Sequence, residues 1–207
     1  MLDLGKVVNK KSYVAINAPG IIDNFEEISG GKYIFDKNIN QVLFIPNGSN
    51  DRLSMHEASS TVRSLMELNF YLNHLATPQQ MLIFDEPEQN LHPENQRKLA
   101  RLLARLVKVG ISVLVTTHSD YIIREFNTLI QLNNDDEFLK KLQINEGYSD
   151  EELLNADKVR AYVTENRKDG FILKEAPITQ HDGMTIDSID EVIDKMNQIH
   201  DAIIWGE

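Results

Sequence analysis

A chain of 207 residues, 42% of them hydrophobic, has the apolar mass for one ordinary domain, or a domain with a small appendage, folded around a sizeable core. Its net charge of -11 argues against a surface that binds nucleic acid non-specifically, because phosphate neutralisation needs clustered cations. With no Cys and six scattered His it lacks disulfides, thiolate metal sites and zinc-ligand spacing; with no apolar run near the roughly 20 residues that span a bilayer and no charged-then-apolar leader, it is expected in the cytoplasm without membrane contact.

The first fifty residues read as β-rich. Ser12 to Asn17 can form a strand, and Lys32 to Phe35 followed by Ile39 to Ile45 reads as a hairpin across Asp36-Lys37-Asn38, closed by a loop at Pro46 to Asn50. From Glu57 to Ala76, Val62, Leu65, Leu68, Leu72 and Leu75 recur at helical spacing, which predicts a long helix leading into an apolar strand at Met81 to Phe84. The next helix starts at Pro93, whose fixed φ suits a first turn, and stops at Gly110, which suits a left-handed cap. On it Arg97, Arg101, Arg105 and Lys108 share one side at spacings of three and four, opposite Leu99, Leu102, Leu103, Leu106 and Val107. That pattern is first of all an amphipathic helix with a solvated face, and a local basic stripe only second.

Ile111 to Thr116 is an apolar, β-branched run of the kind buried in a parallel sheet. A helix follows His118, with Tyr121, Ile122, Phe126, Leu129 and Ile130 as its apolar positions. Strand, helix, strand, helix in this order implies a parallel crossover, with the strand ends brought together at one carboxyl edge. Beyond Leu132 the chain turns acidic, with a short helix around Phe138 and a capping-box pattern at Ser149-x-x-Glu152. Lys158 to Val163 and Phe171 to Lys174 can pair across Asn166 to Gly170. Ser188-x-x-Glu191 opens a last amphipathic helix carrying Ile189, Val192, Ile193, Met196, Ile199 and Ile203.

The chemistry concentrates where Met81-Leu82-Ile83-Phe84 ends in Asp85-Glu86-Pro87-Glu88, where Asn90-Leu91-His92-Pro93 follows, and where the next strand ends in Thr116-Thr117-His118-Ser119. Adjacent carboxylates at a strand end are a weak signal alone; joined to a histidine at the end of the following strand they are far more specific. The conjunction resembles the ABC-type ATPases, and within them the AAA-like, overcoming-lysogenization-defect-like group found in bacterial anti-phage and conflict systems. The resemblance runs from about Glu57 to Leu132. It implies an α/β fold, the C-terminal part of a P-loop NTPase cassette of ABC type, with a parallel sheet, flanking helices and a small appended hairpin and helix. Residues 1–132 would form the partial core and residues 133–207 its acidic linker, hairpin and closing helix.

The same resemblance assigns roles. Asp85 falls on the Walker B aspartate that holds hydrated Mg²⁺, Glu86 on the catalytic glutamate that aligns the attacking water, and His118 on the switch histidine that reaches the γ-phosphate of ATP. Asn90 to Pro93 falls on the D-loop, with Asn90 and His92 as nucleotide contacts. The signature position is filled by Ala58-Ser59-Ser60-Thr61, where Ser59 or Ser60, with Ser54 as second choice, would meet the phosphate of the opposite cassette in a head-to-tail dimer. A serine at a helix start also serves as a plain N-cap, but the place of this one ahead of the Asp85 strand favours the phosphate contact.

A Walker A loop needs Gly-x-x-x-x-Gly-Lys-Ser/Thr, so that backbone N–H groups surround the phosphates. The nearest fragment, Gly30-Gly31-Lys32-Tyr33, has Glu26 in place of the first glycine and Tyr33 in place of the hydroxyl ligand. Two readings follow. One is the hydrolytic portion of an ATPase, completed by a P-loop-bearing segment or chain and coupled to DNA or an effector protein. The other is a non-hydrolytic interaction module that keeps the cassette fold.

Overall fold

The computed structural model describes residues 4–168 and 170–206, without the side chains of residues 4 and 187–193. Two compact units divide the chain: residues 1–125 with 150–152, and residues 126–149 with 153–207.

The first unit opens with helices where a strand is expected. After α1 (Leu4–Val7), Ser12 caps α2 (Tyr13–Asn17): its buried hydroxyl accepts from the Ala15 N–H at 2.9 Å and donates to the Leu72 carbonyl at 2.5 Å. This cap, docked on another element, overrides the β preference of Tyr13, Val14 and Ile16. Pro19 then starts α3 (Pro19–Ser29), which buries Ile21, Phe25 and Ile28 and ends on left-handed Gly30. Strands β1 (Gly31–Asp36) and β2 (Gln41–Pro46) pair antiparallel as the expected hairpin, and β3 (Leu53–Ser54) adds to β2.

The long helix is real but changes pitch. It runs as α4 (Ser60–Phe70), burying Val62, Leu65 and Leu68, and finishes in a π-helical turn at Tyr71–Leu75. There follow β4 (Met81–Asp85), α5 (Pro93–Lys108) and β5 (Ser112–Thr116), with β4 and β5 parallel and Asp85 in register with Thr116. Helix α5 begins at Pro93, and Gly110 lies just past its end at a φ of 87°. Its leucines Leu99, Leu102, Leu103 and Leu106 form the centre of the core, and α3 and β5 pack on it.

The strand pair departs from the expectation of full burial. Met81, Ile83 and Leu114 are 63%, 67% and 46% exposed, all on one face, while Leu82, Phe84, Val113 and Val115 on the other are half-buried. With α5 packed on β5 and no further strand beside the pair among the described residues, one face is left open. Helix α6 (Asp120–Gln131) buries Ile122, Leu129 and Ile130 as predicted, but leaves Tyr121 exposed.

The second unit carries α7 (Glu137–Asn145), a 3₁₀ turn at Ala156–Lys158, the antiparallel hairpin of β6 (Tyr162–Arg167) and β7 (Gly170–Glu175), the small pair β8 (Ile178–Thr179) and β9 (Gly183–Met184), and α8 (Asp187–Trp205). The hairpin starts four residues later than predicted, because Lys158 is taken up by the 3₁₀ turn. The Ser149-x-x-Glu152 pattern caps no helix; Glu152 is instead spent, within the first unit, on an ion pair with Arg101. Helix α8 exists, but the roles expected of Ser188, Ile189, Glu191, Val192 and Ile193 lie outside the described residues. Met196, Ile199 and Ile203 are exposed. The architecture is therefore α/β: a parallel strand pair with flanking helices, plus an antiparallel hairpin and a closing helix.

Candidate functional site

The parallel register puts the chemistry of two distant segments at one edge. Asp85 ends β4 opposite Thr116, whose hydroxyl donates to Asp85 Oδ1 and accepts from the Glu86 N–H at 3.1 Å; the Glu86 N–H also reaches the Thr116 carbonyl at 3.0 Å. Continuing the ladder one residue past the strand end forces Glu86 into a left-handed conformation, at a φ of 43° that a non-glycine residue rarely adopts. Such strain persists only where its surroundings impose it, and it gathers at functional sites. Its effect is to turn the Glu86 carboxylate toward His118, with Oε1 3.7 Å from Nε2. Gln89 donates from its side-chain amide to the other Glu86 oxygen.

His118 is fixed through its main chain. Its N–H donates to Glu88 Oε1 at 2.7 Å, while the imidazole itself is 89% exposed. On the following turn Ser119 Oγ donates to Gln96 Oε1 and caps α6 by accepting from the Ile122 N–H. Asp85, Glu86, Glu88, Thr116 and His118 thus form one cluster at the carboxyl end of the parallel strands. It holds the exposed Asp85 carboxylate, the half-buried Glu86 and Glu88 carboxylates and an exposed imidazole, a set of charged and hydrogen-bonding groups at one edge; among the described residues no three such side chains are grouped to chelate a metal ion.

The remaining candidates gather around a second, neighbouring feature. Ser59 is the N-cap of α4, its hydroxyl accepting from the Val62 N–H at 3.2 Å, and Ser60 is the first helical residue; both are exposed. Ser54 is engaged with Glu57, donating from its hydroxyl at 2.8 Å. Thr61 Oγ1 donates to the carbonyl of Asn90, which is left-handed at a φ of 64°, so the start of α4 is tied to the turn after β4. His92 caps α5, with Nδ1 accepting from the Glu94 N–H at 3.3 Å. Ser59 and His92 are thus employed as caps in this state, whereas Ser60 and the Asn90 side chain are on the surface.

The other sequence candidates are spent on structure. Gly30 caps α3 and Gly31 begins β1, where a Cβ would sit 2.2 Å from the Ile45 carbonyl oxygen; Lys32 pairs with Glu26 at 3.1 Å, and the Tyr33 hydroxyl donates to the Val62 carbonyl at 2.7 Å. Burial pushes the Tyr33 phenol well above its ordinary pKa. The arginines of α5 form no free basic stripe: they are ion-paired along a side of the helix that is solvated at Arg97 and Lys108 and half-buried at Arg101 and Arg105. Arg97 pairs with Glu125 at 2.6 Å, Arg101 with Glu152 at 2.8 Å, and Arg105 with Glu151 at 2.5 Å and with Asn24.

Thr116, Glu88 and Gln89 are not among the candidates that the sequence offers. For Thr116 a signal exists, because a parallel register aligning the two strand ends pairs it with Asp85. The Glu88 and Gln89 contacts depend on the turn geometry.

No curated protein matches the chain. A chain solved in work on ATP-driven dimerization and DNA-stimulated activation of SMC ATPases superposes with a TM-score of 0.47 at 15% identity, over 86% of this chain and 92% of that one. An SmcHead solved bound to the C-winged helix domain of ScpA gives 0.42 at 19% identity, over 52% of this chain and 36% of that one. The family described as AAA ATPase domain matches residues 6–123, more than half of the chain and the whole of the cluster around Asp85, Glu86 and His118, so the chain belongs to the AAA ATPase domain family.

Proposed function

We propose that this chain forms the Walker B and signature portion of an ATP-hydrolysing site, completed by a P-loop-bearing segment of the same protein or of another chain. The observation that carries the reading is the approach of the Glu86 carboxylate to within 3.7 Å of His118 Nε2 at the carboxyl edge of two parallel strands, where a left-handed Glu86 is held by the Thr116 hydroxyl. Glu86 is the group that orients and deprotonates the attacking water, and His118 the group that contacts the γ-phosphate. Asp85 offers one exposed carboxylate, which is the donor set Mg²⁺ usually takes from protein while keeping waters and phosphate oxygens. Bound Mg²⁺ would neutralise charge on the transferred phosphoryl group.

Two features support completion by a further segment. Met81, Ile83 and Leu114 lie open on one face of the strand pair, and β5 pairs with no strand but β4 among the described residues. A parallel sheet is ordinarily covered on both faces and extended at its edges. The exposed start of α4, tied to Asn90 by Thr61, supports a trans contact from Ser59 or Ser60 to nucleotide on a second cassette in a head-to-tail dimer. The Asp-Glu-Pro-Glu and Asn-Leu-His-Pro segments support a place among the overcoming-lysogenization-defect-like ATPases, and with it an output through an effector or DNA in a defence system.

Calorimetry with Mg-ATP tests the reading. The chain by itself is expected to bind more weakly than about 1 mM, since the phosphate-cradling N–H groups are supplied elsewhere, and to bind in the micromolar range once a P-loop segment is added. Micromolar binding by the chain by itself would overturn it.

A further inference from the structure

Glu88 belongs to the Asp-Glu-Pro-Glu run, yet hydrolysis as proposed gives it no part. Its placement is nonetheless specific. The buried Pro87 precedes it, Leu91 N–H closes a turn on its carbonyl at 3.0 Å, and the turn is bracketed by left-handed Glu86 and Asn90. From this turn Oε1 accepts the His118 N–H at 2.7 Å, across thirty residues of chain, while Oε2 is buried with no hydrogen-bond partner among the described residues. A carboxylate held this way, with one oxygen left unpaired, is costly to keep, and the bond to the His118 N–H, which needs an acceptor oxygen at this reach, is the return.

We propose that Glu88 is the positioning residue of the switch histidine: it fixes the His118 backbone so that the imidazole faces the Glu86 carboxylate. The ring is 89% exposed, so packing does not orient it, and the main chain sets the point from which it reaches Glu86. Glu86 faces the ring 3.7 Å away while Glu88 grips the backbone, so two acids of one turn flank one histidine. The assignment to catalysis rests on the ATPase reading above; the hold on His118 does not.

The test separates reach from charge, using Glu88→Gln, which keeps an acceptor oxygen at the same length, against Glu88→Asp, which keeps the charge but is one methylene short, and Glu88→Ala. Hydrogen exchange of the His118 amide in the full chain should quicken roughly tenfold or more in Glu88→Ala and Glu88→Asp and stay near the parent rate in Glu88→Gln, with the core amides of Leu102 and Leu103 reporting an intact fold. In the complex with a P-loop segment, kcat should fall roughly tenfold or more in the first two variants with KM for ATP little changed, and recover in Glu88→Gln. Equal His118 exchange in all four proteins would overturn the proposal, as would loss of turnover in Glu88→Gln with the amide still protected. If exchange follows the expected order while the parent complex hydrolyses no ATP, the hold on His118 stands and the ATPase reading fails.

Discussion

Thr116 shows how much one hydroxyl can organise. By donating to Asp85 and accepting from the Glu86 N–H it closes the strand end, and the left-handed turn at Glu86 follows from that closure. The identities of Asp85, Glu86 and His118 as a cluster are legible in the sequence, because two strands joined by a crossover helix bring their ends together. The left-handed φ of Glu86 and the Glu88 grip on His118 are not legible, because they depend on backbone angles that residue type does not encode. The serines at the start of α4 make the same point: the place of Ser59 in the sequence favours a phosphate contact, and here its oxygen is a cap.

Tyr33 provides a test at this scale that is independent of nucleotide. Burial raises its pKa, so the folded state holds the phenolic proton more tightly than the unfolded state does. Its contribution to stability is fully present below the unfolded value near 10 and is lost as pH rises above it toward the folded value. Melting temperature should therefore fall as pH is raised past about 10, and less steeply in Tyr33→Phe; Tyr71, raised by the same cause, leaves a residual slope. Identical slopes in the two proteins would contradict the burial of that phenol.

Among the elements, α5 was the most readable. Pro93 and Gly110 bound it, and its leucines face the core as their spacing predicts. What spacing could not reveal is where its arginines go, since their acidic partners lie 28, 51 and 46 residues away, at Glu125, Glu152 and Glu151. The run at residues 150–152 reads as the start of a helix in sequence and is instead a clamp on α5, because two buried or half-buried guanidinium groups bind it more firmly than a capping box would.

Arg97→Ala leaves Glu125, only 2% exposed, without this cation. Breaking a buried pair on one side costs roughly 3–5 kcal/mol, and since half of the Arg97 side chain is in water about 2–3 kcal/mol is expected. Urea unfolding should show this as a lower midpoint at unchanged slope, with most of it recovered in Arg97→Met combined with Glu125→Leu. A midpoint unchanged by Arg97→Ala would show that the ladder on α5 contributes nothing to stability. Tyr13–Asn17 is helical and not extended for a related reason: the buried Ser12 hydroxyl docks on Leu72, a partner sixty residues on.

At the scale of the molecule, the open face of the β4–β5 pair separates this chain's own stability from its assembly. Ile83 is 67% exposed, so Ile83→Lys should change the chain's own unfolding free energy by no more than about 0.5 kcal/mol. The same substitution should sharply weaken association with a P-loop segment, because a charge would then be buried against the sheet. Analytical ultracentrifugation of the mixture checks this; equal association of parent and variant would mean that the face is not where the site is completed. The sequence signals the apolar run but not its exposure, since a strand buried on both faces and one awaiting a cover are written with the same residues.

In the proposed site Glu86 acts on water and not on phosphate binding. The most direct measurement is ATP turnover by the chain completed with a P-loop segment, for the parent and for Glu86→Gln, with nucleotide affinity measured on the same samples. Removing the base while keeping the shape should lower kcat by roughly a hundredfold or more and leave ATP affinity within about threefold of the parent. Turnover by Glu86→Gln at the parent rate would contradict the account.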